Sequence, residues 1–454
     1  MDAPRAYRIG YLIVLIGCFL PSKVVAYALP FALFGWLAVK APTAIRWNRV
    51  LAIGVAIVTL PVIYVLVDDE FLIANYLLAI VTYSSFLPIV AIDGRRLASA
   101  TLVEDLAVPT GWMILVQGCV GLVQAVAGAI EAGSFGGGNG DRVQGTIHLS
   151  LQPESSFSNP MFAVNMVMML LLCLAAPSLL DTRARRRLLV GVTALVLASV
   201  IHVLIFAALA VIFALVAIET TRAPGRAKSS YRNLVVGGLL AGALTYAALP
   251  GNVANVSGMT EAVIDFDALS VPRAIMLYRV ATELPDEAPH QPWIGLGPGQ
   301  FSSRASLIAS GLYLGGANDP QTLPFLTPQA TRLAADYCLS LLVAYADQGE
   351  VIGSTHQPFF SALSVYTELG AVGLVLVAWL LFRIVRATRR RAALDAAARY
   401  RAVLLVAGVV FLALLGLQEN YWEVPQAILI GLLVLRAIAA NLTPARRSPA
   451  PSGP

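Results

Sequence analysis

Residues 188–218 read LLVGVTALVLASVIHVLIFAALAVIFALVAI, 31 residues without one charged side chain. A helix needs about 20 mostly apolar residues to cross a bilayer core, with about 17 as a practical floor. The stretch is therefore too long for one ordinary crossing. Basic clusters flank it at both ends: Arg185-Arg186-Arg187 before it, and Arg222, Arg226, Lys228 and Arg232 after it. Lys and Arg concentrate on the cytoplasmic side of a membrane. Two basic ends belong on one side, so the stretch is read as two helices that turn near Ser199–His202.

The same reading extends along the whole chain of 454 residues. Apolar residues make up 58% and charged residues 13%, about half the ~25% charge of soluble domains. That excludes a soluble cytosolic enzyme and a disordered chain. Apolar runs lie at roughly 9–22, 24–39, 50–67, 71–92, 106–130, 161–180, 188–202, 203–219, 233–249, 360–382, 402–418 and 426–440. The fold class expected is an all-α polytopic membrane protein with about 12 transmembrane helices. The first 28 residues imitate a secretory signal, but cleavage after Ala28 would leave too few apolar residues before Lys40 to span. With the N-terminus inside, 25 of the 31 Lys and Arg fall on the cytoplasmic side. The remainder are Lys23, Arg142, Arg273, Arg279, Arg304 and Arg332. Both termini come out cytoplasmic, and each outer cation asks for an explanation.

Three units follow. Residues 1–249 hold helices 1–9 and a smaller outer loop near 131–160. Residues 250–359 form a large outer loop, and residues 360–454 hold helices 10–12 and a cytoplasmic tail. Two helices are expected in the large loop. One follows Ser270 as N-cap with Pro272 in its first turn. The other spans about 331–347, with Leu333, Tyr337, Leu341 and Ala344 on one face. The loop thus reads as an ordered cap. Cys18, Cys119 and Cys173 lie in apolar runs, Cys338 alone lies outside, and no pair has metal-ligand spacing.

Histidine is scarce, with four in the chain. His202 sits within the apolar hairpin, and His148 and His290 lie in outer loops. His356 stands at the expected start of a span, with Ser354 or Thr355 as N-cap and Pro358 in the first turn. A helix N-terminus favours neutral imidazole, the form that acts as a base.

Four segments carry a resemblance. The first is Arg142-Val143-Gln144-Gly145-Thr146 with Ser158-Asn159-Pro160. The second is Ser270-Val271-Pro272-Arg273 with Tyr278. The third is Pro292-Trp293-Ile294-Gly295-Leu296-Gly297-Pro298-Gly299-Gln300-Phe301. The fourth is His356-Gln357-Pro358-Phe359-Phe360 with Tyr366-Thr367-Glu368-Leu369-Gly370. In this order and on the outer side they resemble the O-antigen ligase and O-antigen polymerase family, over roughly residues 140–375. Gln357 stands where that family usually has Asn. The resemblance implies a membrane glycosyltransferase of the GT-C-like class. Such an enzyme is inverting, metal-independent and free of cofactors, and takes a glycan from undecaprenyl diphosphate at the periplasmic face of the bacterial inner membrane. The acceptor would be lipid A-core or another glycan. Carried over residue by residue, Arg142 and Arg273 bind the diphosphate, with Arg279 a weaker candidate, and His356 assists the acceptor hydroxyl. Guanidinium suits this role because its planar fork pairs bidentately with phosphate. Gly295, Gly297, Gly299, Gln357, Glu368 and Gly370 take structural places, Glu368 as a partner inside the bundle. Arg279 lies six residues from Arg273, about 240° around a helix, and so faces elsewhere.

Two other readings stay open. Asp68-Asp69-Glu70 and Asp265-Phe266-Asp267 could serve a metal-dependent transferase that uses polyprenyl-monophosphate sugars. Twelve spans with both ends inside also suit a transporter or flippase of lipid-linked glycans, although the two halves show no internal repeat. Nucleic acid is not an expected partner.

Overall fold

The computed structural model describes residues 1–99, 101–132, 142–148, 158–176, 181–198, 200–219, 272–315, 319–347, 357–392 and 396–442. Among them, regular structure is helical apart from one antiparallel bridge between Ile45 and Ile92. Among the described residues seven helices are long and apolar enough to cross a membrane, as in a polytopic membrane protein. In order, the long helices are α1 (Ala3–Gly17), α2 (Lys23–Lys40), α3 (Trp47–Val67), α4 (Ile73–Thr82) and α5 (Phe86–Ala91). They continue with α6 (Leu102–Ala132), α7 (Ser158–Leu174), α8 (Thr182–Leu197) and α9 (Ile201–Glu219). A 3₁₀ turn at Tyr83–Ser85 joins α4 to α5. The stretch from 188 onward is indeed two helices, α8 ending at Leu197 and α9 beginning at Ile201. The apolar run at 233–249 lies outside the described residues.

Beyond it come α10 (Pro272–Thr282), α11 (Arg304–Ala309), α12 (Arg332–Ala334) and α13 (Ser340–Asp347). The chain ends with α14 (Ser361–Ala392), α15 (Ala396–Leu415) and α16 (Pro425–Asn441). Between α12 and α13 lies a π-helical turn, Ala335–Leu339. That turn shifts the face expected for a continuous helix. Leu333 and Leu341 are buried, while Ala344 is exposed and not on the buried stripe. Residues 272–347 have an apolar core of their own, including Met276, Leu284, Phe301, Leu307 and Leu339, closed by Phe359 and Leu363.

The bundle is tied by side-chain hydrogen bonds between helices. Tyr11 meets Thr110 at 2.9 Å, Tyr7 donates to the Leu433 carbonyl at 2.6 Å, and Asn165 donates to the Gln426 carbonyl at 2.7 Å. Each such bond contributes on the order of 1 kcal/mol or less within a bilayer, so packing carries most of the stability. Two helices turn mainly outward. Only Tyr64 of α3 is buried, and Val372, Val375, Trp379 and Phe382 of α14 are exposed. Such apolar faces suit lipid.

Charged loops sort to two ends. At one end Arg8 pairs with Asp105 at 2.9 Å, Arg46 with Asp93 at 2.7 Å, and Arg401 with Glu104 at 3.7 Å, and Arg436 donates to the Ile92 carbonyl. At the other, Gln426 reaches the Cys18 carbonyl at 2.9 Å, Thr146 the Phe19 carbonyl at 2.8 Å, and Arg332 meets Glu70 at 3.2 Å. The first end gathers loops expected to be cytoplasmic, the second those expected outside.

Candidate functional site

The third and fourth segments of the resemblance fold into one unit. Within α14 the backbone breaks at Gly370, whose φ is 65°, so the carbonyls before it are turned out of the helix ladder. Leu296 N–H donates to the Thr367 carbonyl and Gly297 N–H to the Glu368 carbonyl, each at 2.9 Å. A Cβ at Gly370 would strike the Trp293 backbone, and one at Gly295 the Glu368 backbone. Both positions therefore require glycine for close approach as well as for φ. The Glu368 carboxylate then closes the turn. It accepts from Gly299 N–H at 2.6 Å, Ser303 N–H at 3.0 Å and Phe301 N–H at 3.2 Å. Glu368 is fully buried, and a buried carboxylate is tolerable when donors converge on it. The Gln300 side chain extends the unit, accepting from Leu72 N–H at 2.9 Å and donating to the Leu72 carbonyl at 3.0 Å.

Arg273 lies at the start of α10. Its Nε donates to the Gln357 carbonyl at 3.1 Å, another of its nitrogens donates to the Gln418 carbonyl, and its guanidinium lies 5.2 Å from the Phe360 ring centre. Burial lowers its pKa to about 10, with nearby Glu419 opposing that shift. At that value it stays charged near neutrality. Gln357 thus contributes its backbone to this contact, and Arg273 joins the second resemblance segment to the fourth. Arg279 faces elsewhere, donating to the Asp336 carbonyl of the cap at 3.3 Å. Arg142 pairs with Glu131 at the end of α6, and its described contacts do not include the Arg273 cluster.

His356 and Ser270 lie outside the described residues. One expectation around His356 is corrected. Residues 357–360 are not helical and α14 begins at Ser361, so Pro358 precedes the helix and Glu368 lies about two turns into it. The residue before a proline is biased away from helical φ/ψ, in keeping with Gln357 lying outside the helix, where its carbonyl accepts from Arg273. Of the other histidines, His202 meets the Tyr421 hydroxyl at 3.0 Å. His148 and His290 are half-buried in their loops.

Sequence reasoning missed the centre of this end, the turn Gln418–Glu423 between α15 and α16. Glu419 and Glu423 are both fully buried. Glu419 accepts from the Arg304 guanidinium at 3.5 Å, and Glu423 accepts from Arg304 N–H, with Tyr83 close by. Asn420 donates to the Ser302 carbonyl at 3.0 Å, and Ser361 N–H donates to the Glu419 carbonyl at 3.2 Å. Burial pushes the Glu419 carboxyl up to about 7 and the Glu423 carboxyl up to about 8, against the opposing pull of Arg304. Arg304 itself lies over Tyr313, 4.7 Å from the ring centre, and the Lys23 ammonium lies 4.5 Å from the same ring. Burial opposes the Arg304 charge, but Tyr313, Glu419, Tyr27 and Glu423 outweigh it and hold its pKa above the ordinary value.

All six cations expected on the outer side thus have a place. Arg332 bridges Glu70 at 3.2 Å and Glu287 at 2.7 Å, which ties the cap to the α3–α4 turn and depresses the Glu287 carboxyl. Of the acids weighed for metal chemistry, Glu70 belongs to that bridge, and Asp265 and Asp267 lie outside the described residues. The chain matches no protein-family model and no curated protein.

Proposed function

We propose that the chain is an inverting, metal-independent glycosyltransferase. It moves a glycan from undecaprenyl diphosphate to an acceptor hydroxyl, in the manner of O-antigen ligases and polymerases. The observation that carries this reading is the convergence of three resemblance segments. Arg273 reaches Gln357, and residues 292–301 are hydrogen-bonded onto Thr367–Gly370. These segments lie far apart in sequence, and the fold brings them together. The charge sorting supports an orientation with both termini cytoplasmic and this site at the periplasmic face of the inner membrane, within about 12 spans of a GT-C-like arrangement.

In this reading the acceptor oxygen attacks the anomeric carbon, and the carbon–oxygen bond to the diphosphate breaks with inversion. Undecaprenyl diphosphate leaves with the electron pair. Arg273, and Arg142 as carried over from the resemblance, offset the charge that develops on the leaving group. His356, assigned from the resemblance, takes the acceptor proton. No residue in this scheme needs a metal.

The deciding experiment gives the purified protein a lipid-diphosphate oligosaccharide alone. A ladder of longer glycans identifies a polymerase. Product that forms only on adding lipid A-core identifies a ligase. Absence of covalent product with either acceptor removes the proposal and leaves transport. Activity should persist in EDTA, and loss that magnesium or manganese restores would transfer the role to the acidic residues. Replacing His356 with Ala should lower turnover by about 10²–10⁴; turnover within about threefold of wild type would place the base elsewhere.

A further inference from the structure

A cleft of about 320 Å³ opens among α2, α3, α4 and α5. Ile57 and Leu60 of α3 form one wall, Tyr76 of α4 and Tyr83 and Ser84 of the 3₁₀ turn form another, and Pro298 lies against it. Nearly all its lining is apolar, and the helix that closes it, α3, otherwise faces outward. The cleft is therefore reached sideways, from lipid. Its polar region is different in kind. Ser84 is only 4% exposed, and its hydroxyl has no hydrogen-bond partner. A buried hydroxyl left in that state costs free energy until something pairs with it. Beside it, Tyr83 lies close to Glu423, which accepts from Arg304 N–H. Pro298 belongs to the glycine turn that Glu368 closes. The cleft thus leads from the apolar exterior to the buried charged cluster.

We propose that this cleft seats the first part of a single polyprenyl chain, the tail of the lipid-linked donor, with its oxygen-bearing end toward Ser84 and Pro298. The volume is near the lower end of the ~300–1,000 Å³ found for ligand pockets, room for one chain and not for the paired chains of a phospholipid. The remainder of so long a chain lies in the bilayer. The proposal rests on the donor class argued above, and it assigns the donor's entry to α3.

The test uses the purified full-length protein and native mass spectrometry, with undecaprenyl diphosphate bearing no glycan as the probe. Ile57→Trp and Ile53→Trp fill the cleft from a helix that makes few internal contacts, so folding, checked by thermal unfolding, should persist. Val58→Trp, on the 69% exposed face of the same helix, is the control. Each cleft-filling variant should bind the probe at least tenfold more weakly, while Val58→Trp binds as wild type and dioleoyl phosphatidylglycerol fails to displace the probe. Unchanged binding in folded Ile57→Trp and Ile53→Trp, equal loss in Val58→Trp, or displacement by phosphatidylglycerol overturns the assignment. The two proposals fail separately. Cleft-dependent binding without any transfer by wild type keeps the cleft and removes the reaction, whereas transfer with cleft-independent binding removes the cleft alone.

Discussion

Glu368 holds three backbone N–H groups with two carboxylate oxygens. Removing the acceptor strands all three in a dry interior, at about 1–3 kcal/mol each. Glu368→Ala should therefore lose about 3 kcal/mol or more and unfold several degrees lower in detergent. Glu368→Gln, which keeps one acceptor oxygen, should fall between. An unchanged unfolding midpoint for the alanine variant would show that the turn is held by other means. Arg273 and Arg279 offer a second contrast, because one guanidinium is clamped against Gln357, Gln418 and Phe360 and the other lies along the cap. Donor binding should be lost most in Arg273→Ala and less in Arg273→Lys, which keeps charge but not the fork. It should stay near wild type in Arg279→Ala. Equal losses at 273 and 279 in a binding titration would mean that the clamped side chain is purely structural.

At the scale of elements, the turn Gln418–Glu423 governs a pH response. Glu419 and Glu423 have folded-state values of about 7 and about 8 against an ordinary 4.5, so over that interval the folded chain holds protons that the unfolded chain has released. Stability therefore falls as pH rises from about 4.5 toward 8, then levels. Thermal unfolding followed across this range should show that decline, and Glu419→Gln with Glu423→Gln should flatten it; an undiminished slope in the double variant would place its source elsewhere. This turn was not legible in the sequence, because Glu419 and Glu423 follow an apolar run and resemble an ordinary polar cap until Arg304, more than a hundred residues earlier, is brought against them. The glycine turn was legible, since a Gly-x-Gly-x-Gly run beside a proline has few conformational uses. That its partner would be Glu368 was visible only as a buried acid needing company. The start of α14 was misread because Pro358 fits a first helical turn locally, whereas Phe359 is drawn into the apolar core of the cap.

At the scale of the whole molecule, contacts between loops divide the chain into two ends, and the division can be checked from outside a cell. Native cysteines at 18, 173 and 338 are buried, and Cys119 lies within α6. A cysteine placed at exposed Gln321 in the cap should react with a membrane-impermeant maleimide once the outer membrane is permeabilised. One placed at exposed Arg95 should react only after lysis. The reverse pattern would invert the orientation and move the site to the cytoplasm.

The lateness of Gln418–Glu423 in the chain has a consequence for biogenesis. A ribosome delivers His202, Arg273 and Arg304 to the membrane well before it delivers the Tyr421 hydroxyl, the Gln418 carbonyl and the Glu419 carboxylate that they meet. Until α15 and α16 insert, two guanidinium groups have no counter-charge from that turn, and the nascent protein must keep them near water or in the care of the insertion machinery. Completion of the last hairpin is then the event that draws the outer segments together. A chain ended after residue 395 should insert its earlier helices yet remain open at the end where Arg273 and Arg304 lie and be cleared by membrane proteases. Pulse-chase labelling would register this as a short lifetime, one that supplying α15 and α16 as a separate fragment should lengthen.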